Sequence, residues 1–310
     1  MKIFKRSFFL KGILMVLVLT FVIGAVVGCS GSSGKATIKV GSKEFTEQLI
    51  LGQITLLALE DAGFDVKDKT NIAGSTKVRN ALANGDFDLY WEYTGTAWLV
   101  HLQHDQAITD SQKAYDKVKA EDKKNGFIWL DYAPFNNTYT LMMRKDHADK
   151  LGIKSISDLA DYINSNPGEL TVGIDHEFSV RPDGFPGLEK KYGFELAEDN
   201  IKIMDLGITY KTLRDGQVDV AMGFATDGRI AAFNLVNLED NKKFFPVYNP
   251  APVVRQEVLD KNPKIADVLN KIAAKLDTKT MTNLNYQVDI KEREPRAVAE
   301  EWLKSEGLID

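Results

Sequence analysis

From Lys35 onward, apolar residues come in short blocks whose spacing switches between strand-like alternation and helical recurrence. Lys35 to Val40 alternates and predicts a strand. Gly41 to Thr46 reads as a loop into a helix, with Thr46 as the candidate N-cap and Glu47 in the first turn. Leu49, Ile50, Ile54, Leu57 and Ala58 carry the helical spacing, and Gly63 ends it. A strand at Phe64–Val66, a helix at Ser75–Ala83 closed by Asn84-Gly85, and a strand at Phe87–Tyr90 follow. Thr96–Gln103 reads as helical, Ser111–Lys124 as a charged amphipathic helix, and Ile128–Leu130 and Tyr139–Met143 as strands. A second series repeats the alternation: helix Ser157–Ile163, strand Leu170–Ile174, a Pro/Gly-rich loop Arg181–Gly187 leading into a helix up to Tyr192, strand Ile201–Met204, helix Thr209–Leu213 and strand Val218–Met222. The tail predicts helices at Lys264–Leu276, Met281–Gln287 and Pro295–Ser305. Alternating helices and strands with glycine punctuation indicate α/β layers around mostly parallel sheets.

Two segments echo each other. Leu82-Ala83-Asn84-Gly85-Asp86-Phe87-Asp88 and Leu213-Arg214-Asp215-Gly216-Gln217-Val218-Asp219 share the pattern Leu-x-x-Gly-x-x-Asp. Val40-Gly41 and Val172-Gly173 each close a strand, with Glu-Phe a few residues on. The repetition suggests two similar lobes: 36–138 with 249–310 as a discontinuous first lobe, and 139–248 as the second. A cleft between lobes is a usual ligand site.

The stretch Asp88-Leu89-Tyr90-Trp91-Glu92-Tyr93-Thr94-Gly95-Thr96 concentrates three large rings, hydroxyls and a carboxylate at a strand end. Strand ends are where α/β proteins place ligands. Tyr90 and Trp91 are assigned to packing or the cleft rim, and Tyr132 and Tyr210 to structure.

Composition narrows the class. The 310 residues are 44% hydrophobic and 27% charged, with a formal charge of -5, which gives no electrostatic footprint for nucleic acid. The single cysteine, Cys29, excludes an internal disulfide. Lys2, Lys5, Arg6 and Lys11 precede an apolar run from Gly12 to Val27, and Val26-Val27-Gly28-Cys29 resembles a bacterial lipobox. Residues 1–28 are therefore read as a cleaved signal rather than a membrane span, and 29–35 as a lipidated, Gly/Ser-rich tether. The folded part is expected outside the cytoplasmic membrane.

An enzyme finds little support. His101 and His104 lie three apart on a helical stretch without a third metal ligand, and an exposed surface pair is the expectation. Neither a nucleophile elbow around Ser179 nor a phosphate-binding glycine loop is present. No cofactor or metal is called for.

The motifs match a family instead. Gly41-Ser42-Lys43-Glu44-Phe45-Thr46-Glu47, Glu92-Tyr93-Thr94-Gly95-Thr96, Asn136-Asn137-Thr138-Tyr139, Glu177-Phe178 with Arg181-x-Asp183-Gly184, Thr226-Asp227-Gly228-Arg229-Ile230 and Phe244-Phe245-Pro246-Val247-Tyr248 stand in order along residues 36–310. The chain resembles substrate-binding proteins of ABC importers for glycine betaine, carnitine and choline. The resemblance implies a two-lobed periplasmic-binding-protein fold, type II-like, closing around its ligand. It implies a monomer serving an ABC permease with a cytoplasmic ATPase, and a cage of rings at Tyr93, Tyr139, Phe224 and Tyr248. Lys43, Thr96 and Arg181 become the contacts for an anionic end. Phe224 departs from the tyrosine more usual there.

Physics favours those residue types. A trimethylammonium group has no N–H to donate, and aromatic faces both attract its charge and bury its methyls, at about 0.5–2 kcal/mol per contact. A ligand carboxylate suits a guanidinium fork and an ammonium. Glycine betaine is expected ahead of carnitine, choline or proline betaine. Another methylated amino acid such as a histidine betaine is one alternative, and an extracytoplasmic enzyme or metal scavenger is another.

Overall fold

The computed structural model describes residues 35–310; residues 1–28, expected to be a cleaved signal, and Cys29 lie outside the described residues. The first part of the chain builds β1 (Thr37–Lys43), α1 (Thr46–Asp61), β2 (Asp65–Ile72), α2 (Ser75–Asn84), β3 (Leu89–Tyr93), α3 (Ser111–Asp122) and β4 (Phe127–Trp129). Next come β5 (Tyr139–Arg144), α4 (Lys145–Leu151), α5 (Ile156–Ser165), β6 (Val172–Ile174), α6 (His176–Val180) and α7 (Phe185–Tyr192). They are followed by β7 (Ile201–Ile203), α8 (Leu206–Arg214), β8 (Val220–Phe224), α9 (Arg229–Ala232) and β9 (Leu235–Asn237). The chain then returns through β10 (Pro250–Arg255), α10 (Gln256–Lys261), α11 (Lys264–Ala273), α12 (Thr278–Asp289) and α13 (Pro295–Ser305).

Two five-stranded sheets result, in the orders β2-β1-β3-β10-β4 and β7-β6-β8-β5-β9. The orders are equivalent. Each has three parallel strands, then one antiparallel strand from the other end of the chain path, then a short edge strand. The sequence echo falls on equivalent places: β1 and β6 are the second strands, and the two Leu-x-x-Gly-x-x-Asp turns feed the third strands β3 and β8. In each turn the aspartate ties down the neighbouring strand. Asp88 accepts from the Lys39 N–H (2.8 Å), and Asp219 from the Thr171 N–H (2.9 Å). The shared motif is thus a device for setting strand register.

β10 is not legible in the apolar pattern, because Pro250 and Pro252 demote a strand reading. It nevertheless lies inside the sheet. The carbonyls of both prolines point toward the β4 side, where they accept from Ala133 and Leu130. The missing proline N–H groups fall on that same side, where β4 is only three residues long. On the β3 side the ladder is continuous from Pro250↔Tyr93 to Val254↔Leu89.

Each sheet has an apolar core beneath helices. In the first lobe, α1 packs with α11, α12 and α13, so the tail of the chain covers the sheet made by its beginning. The α1 start differs from the expected cap. Phe45 is the N-cap and has no side-chain cap bond; the Thr46 hydroxyl instead donates to Asp289 on α12 (2.7 Å). Trp91 and Tyr90 point into opposite cores, and the hydroxyl of Tyr90 donates to Glu92 (2.7 Å). Tyr210, fully buried, accepts the Phe224 N–H.

Candidate functional site

The cleft is built where strands end. Tyr93 is the last residue of β3 and pairs with Pro250 at the start of β10. Phe224 is the last residue of β8 and pairs directly with Tyr139, the first of β5. Tyr248 sits two residues before β10. Its chain segment hydrogen-bonds to the one before β5: the Tyr248 N–H donates to Asn136 Oδ1 (2.7 Å), and the Asn137 N–H to the Tyr248 carbonyl (3.1 Å). The rings therefore stand on the segments that cross between the lobes and on the third strands beside them.

These rings wall one cavity with about 460 Å³ of empty space, counting its open mouth. Tyr139 lies 5.1 Å from Phe224 and 5.4 Å from Tyr248 between ring centroids, the latter edge-on at 90°. Phe45 completes the circuit, 5.2 Å from Phe224 and 6.1 Å from Tyr93. All seven residues singled out from sequence line this cavity: Tyr93, Tyr139, Phe224, Tyr248, Lys43, Thr96 and Arg181. Phe45 was not among them, although it stands inside a matched motif; its place just before α1 read as a helix entry and hid its ring.

The charged wall has its own internal pairing. Arg181, 5% exposed, gives Nε and Nη2 to the two oxygens of Asp183 (2.8 and 2.6 Å). Its Nη1 donates to Glu177 (2.7 Å), and Nη2 also reaches the Thr96 hydroxyl (3.3 Å). The Asp183 carboxylate also accepts from the Tyr248 hydroxyl, so it positions one ring and the guanidinium together. Lys43 Nζ is 2.7 Å from Glu92 and 5.2 Å from the Tyr93 ring centre. Burial works against the charge on Glu92, but Lys43 and His101 outweigh it and hold the carboxyl well below the usual range.

Glu47 is the residue that sequence reasoning undervalued. It sits in the first turn of α1, as expected, yet it is 2% exposed and accepts from four side chains. Tyr93 and Asn137 donate to Oε1 (2.7 and 2.9 Å); Thr226 and Asn285 donate to Oε2 (2.7 and 3.3 Å). It thereby joins α1, a crossing segment, the loop after β8 and tail helix α12. Burial raises its pKa against the pull of those four donors. The Glu47-Asn137-Thr226-Asn285 constellation spans 238 residues of sequence, so no local pattern reveals it.

The two histidines part company. His101 is buried against Glu92 (2.8 Å), contrary to the expectation of an exposed pair. His104 stacks on Trp98 and lies 2.9 Å from Glu121. No group of three or more potential metal ligands occurs among the described residues.

Residues 36–305 match the model for the substrate-binding domain of ABC-type glycine betaine transport systems. The chain belongs to this family. A glycine-betaine-binding protein of Pseudomonas aeruginosa is 39% identical over 286 residues, covering 91% of each chain. The carnitine transport binding protein OpuCC of Listeria monocytogenes is 36% identical, covering 90% of each. A solved structure described as a glycine betaine/carnitine/choline ABC transporter superposes with a TM-score of 0.71 at 34% identity, covering 88% of this chain and all of that one. Members of this glycine betaine family are solute-binding components of importers rather than enzymes, and the two-lobed fold accords with that. Among the described residues no helix is long and apolar enough to cross a membrane.

Proposed function

We propose that this chain captures a quaternary-ammonium compatible solute, glycine betaine foremost, between its lobes and presents it to an ABC permease. The observation that carries the reading is the circuit of Tyr93, Phe45, Phe224, Tyr139 and Tyr248 around one cavity, with Arg181 on its wall. The rings take the methylated head by cation–π attraction and methyl burial. Arg181, Lys43 and Thr96 face the anionic end. Because both lobes supply rings, binding favours the closed arrangement, with the segments near 137–140 and 247–250 as hinges and lobe boundaries near 138 and 248. The closed form is what the permease reads. Cys29 carries a lipid that keeps the protein on the outer face of the cytoplasmic membrane.

Titration calorimetry tests the reading. Glycine betaine binds the wild type, and Tyr93→Ala loses at least tenfold in affinity, about 1.4 kcal/mol. Arg181→Ala weakens glycine betaine more than choline. A wild type that binds no methylated amine refutes the assignment.

A further inference from the structure

The two acidic partners of Arg181 are not alike. Asp183 is sealed, with a side chain 1% exposed, and it engages the guanidinium through both oxygens. Glu177 is 27% exposed and lines the cavity. One of its oxygens takes Arg181 Nη1; the other accepts the backbone N–H of Ser75 at the start of α2, in the other lobe (3.1 Å). Ser75 and Arg181 both border the cavity. Glu177 thus holds two donors that an anionic ligand end would turn to at this wall. Burial disfavours its charge, but Arg181 and Lys43 outweigh that and keep its pKa below the ordinary value, so it is a carboxylate at neutral pH.

The charge balance points the same way. Asp183 already neutralises Arg181, and Glu92 neutralises Lys43. Glu177 is then surplus negative charge, together with Glu44 and Asp175 on the same wall. A surplus carboxylate attracts a cation. It competes with a ligand carboxylate for the same N–H groups and repels it.

We propose that Glu177 sets the selectivity of the cavity between zwitterions and plain cations, reducing the advantage of a betaine over a choline-type ligand. The inference rests on the assignment of the cavity to methylated amines. Removing the charge of Glu177 frees Arg181 Nη1 for a betaine carboxylate and takes a counter-ion away from choline. Glutamine keeps the length and can still accept from Ser75.

The experiment is calorimetry on the wild type, Glu177→Gln and Glu177→Ala, with glycine betaine and choline as probes at one pH and salt concentration, and melting curves to verify folding. The ratio of glycine betaine to choline affinity is expected to rise about tenfold in both variants. A ratio that stays at the wild-type value or falls in a folded variant overturns the role of Glu177 while leaving the cavity assignment intact. Failure of the wild type to bind either probe overturns both.

Discussion

Replacing Glu47 with alanine removes the acceptor that four buried side chains share. Asn285 keeps a second partner, the Thr226 carbonyl, 3.0 Å away. The Tyr93 hydroxyl, the Asn137 amide and the Thr226 hydroxyl are left as buried donors without their acceptor. A buried donor stripped of its partner costs about 1–3 kcal/mol. Three such donors set a gross loss of roughly 3–9 kcal/mol by that figure, reduced by water entering the space and by relief of the cost of burying a carboxylate. A net loss of about 3–5 kcal/mol is expected, a large share of the roughly 5–15 kcal/mol that holds a typical domain folded. Glu47→Gln keeps one acceptor oxygen and should lose about 1–2 kcal/mol. Equilibrium urea unfolding followed by tryptophan fluorescence measures both. Because Tyr93 also loses the group that orients its ring, Glu47→Ala should weaken glycine betaine in calorimetry even where the variant is fully folded. A loss below about 1 kcal/mol in the alanine variant, with unchanged ligand affinity, would refute the view that Glu47 ties the cage to the rest of the fold.

Three further outcomes are expected. In Tyr248→Phe the ring stays but the bond to Asp183 is lost, costing about 2 kcal/mol of stability by thermal or urea melting, while Tyr248→Ala also abolishes most ligand affinity; equal affinities in the two variants would contradict a ring-based role. A Cβ on Gly95 would meet the Tyr248 ring at 2.8 Å and Pro246 Cγ at 2.9 Å, so Gly95→Ala should displace that ring and weaken binding at least tenfold, read by calorimetry. Burial, reinforced by Glu177 and Glu44, pushes Asp175 up to about 6. Its folded form therefore keeps a proton that the unfolded chain gives up near pH 4, so its contribution to stability falls as pH rises from about 4 to about 6, and affinity for a cation rises over pH 5 to 7 as the wall gains charge. Asp175→Asn should flatten both trends relative to wild type.

The alternation of elements made the α/β class readable, and the two Leu-x-x-Gly-x-x-Asp turns made the internal likeness readable, because both are local patterns. Tyr93, Tyr139, Phe224, Tyr248 and Arg181, which line one cavity, were singled out through short ordered motifs, which carry position without carrying geometry. What stayed hidden is what depends on distant chain segments. Pro250 and Pro252 concealed β10, since nothing local says that their missing N–H groups fall beside the short side of the sheet. Thr46 looked like a cap because its partner, Asp289, lies 243 residues away. Lys43 gave no sign of its partner because Glu92 lies 49 residues away and meets it only through the fold, whereas the partners of Arg181, Asp183 and Glu177, stand beside it in the sequence.

Tyr139 and Phe224 face each other across a hydrogen-bonded strand pair, so their spacing is fixed by the second sheet. Tyr93 is fixed in the same way by the first. A rigid rotation of one sheet against the other leaves each grip unchanged and alters only the gap between them. On the proposed reading of the cavity, the two sheets act as the jaws of calipers: the girth of an onium head becomes an angle between them. A head too wide for the gap holds the jaws ajar, and a permease that engages only one angle would pass over such a cargo even when it is bound tightly.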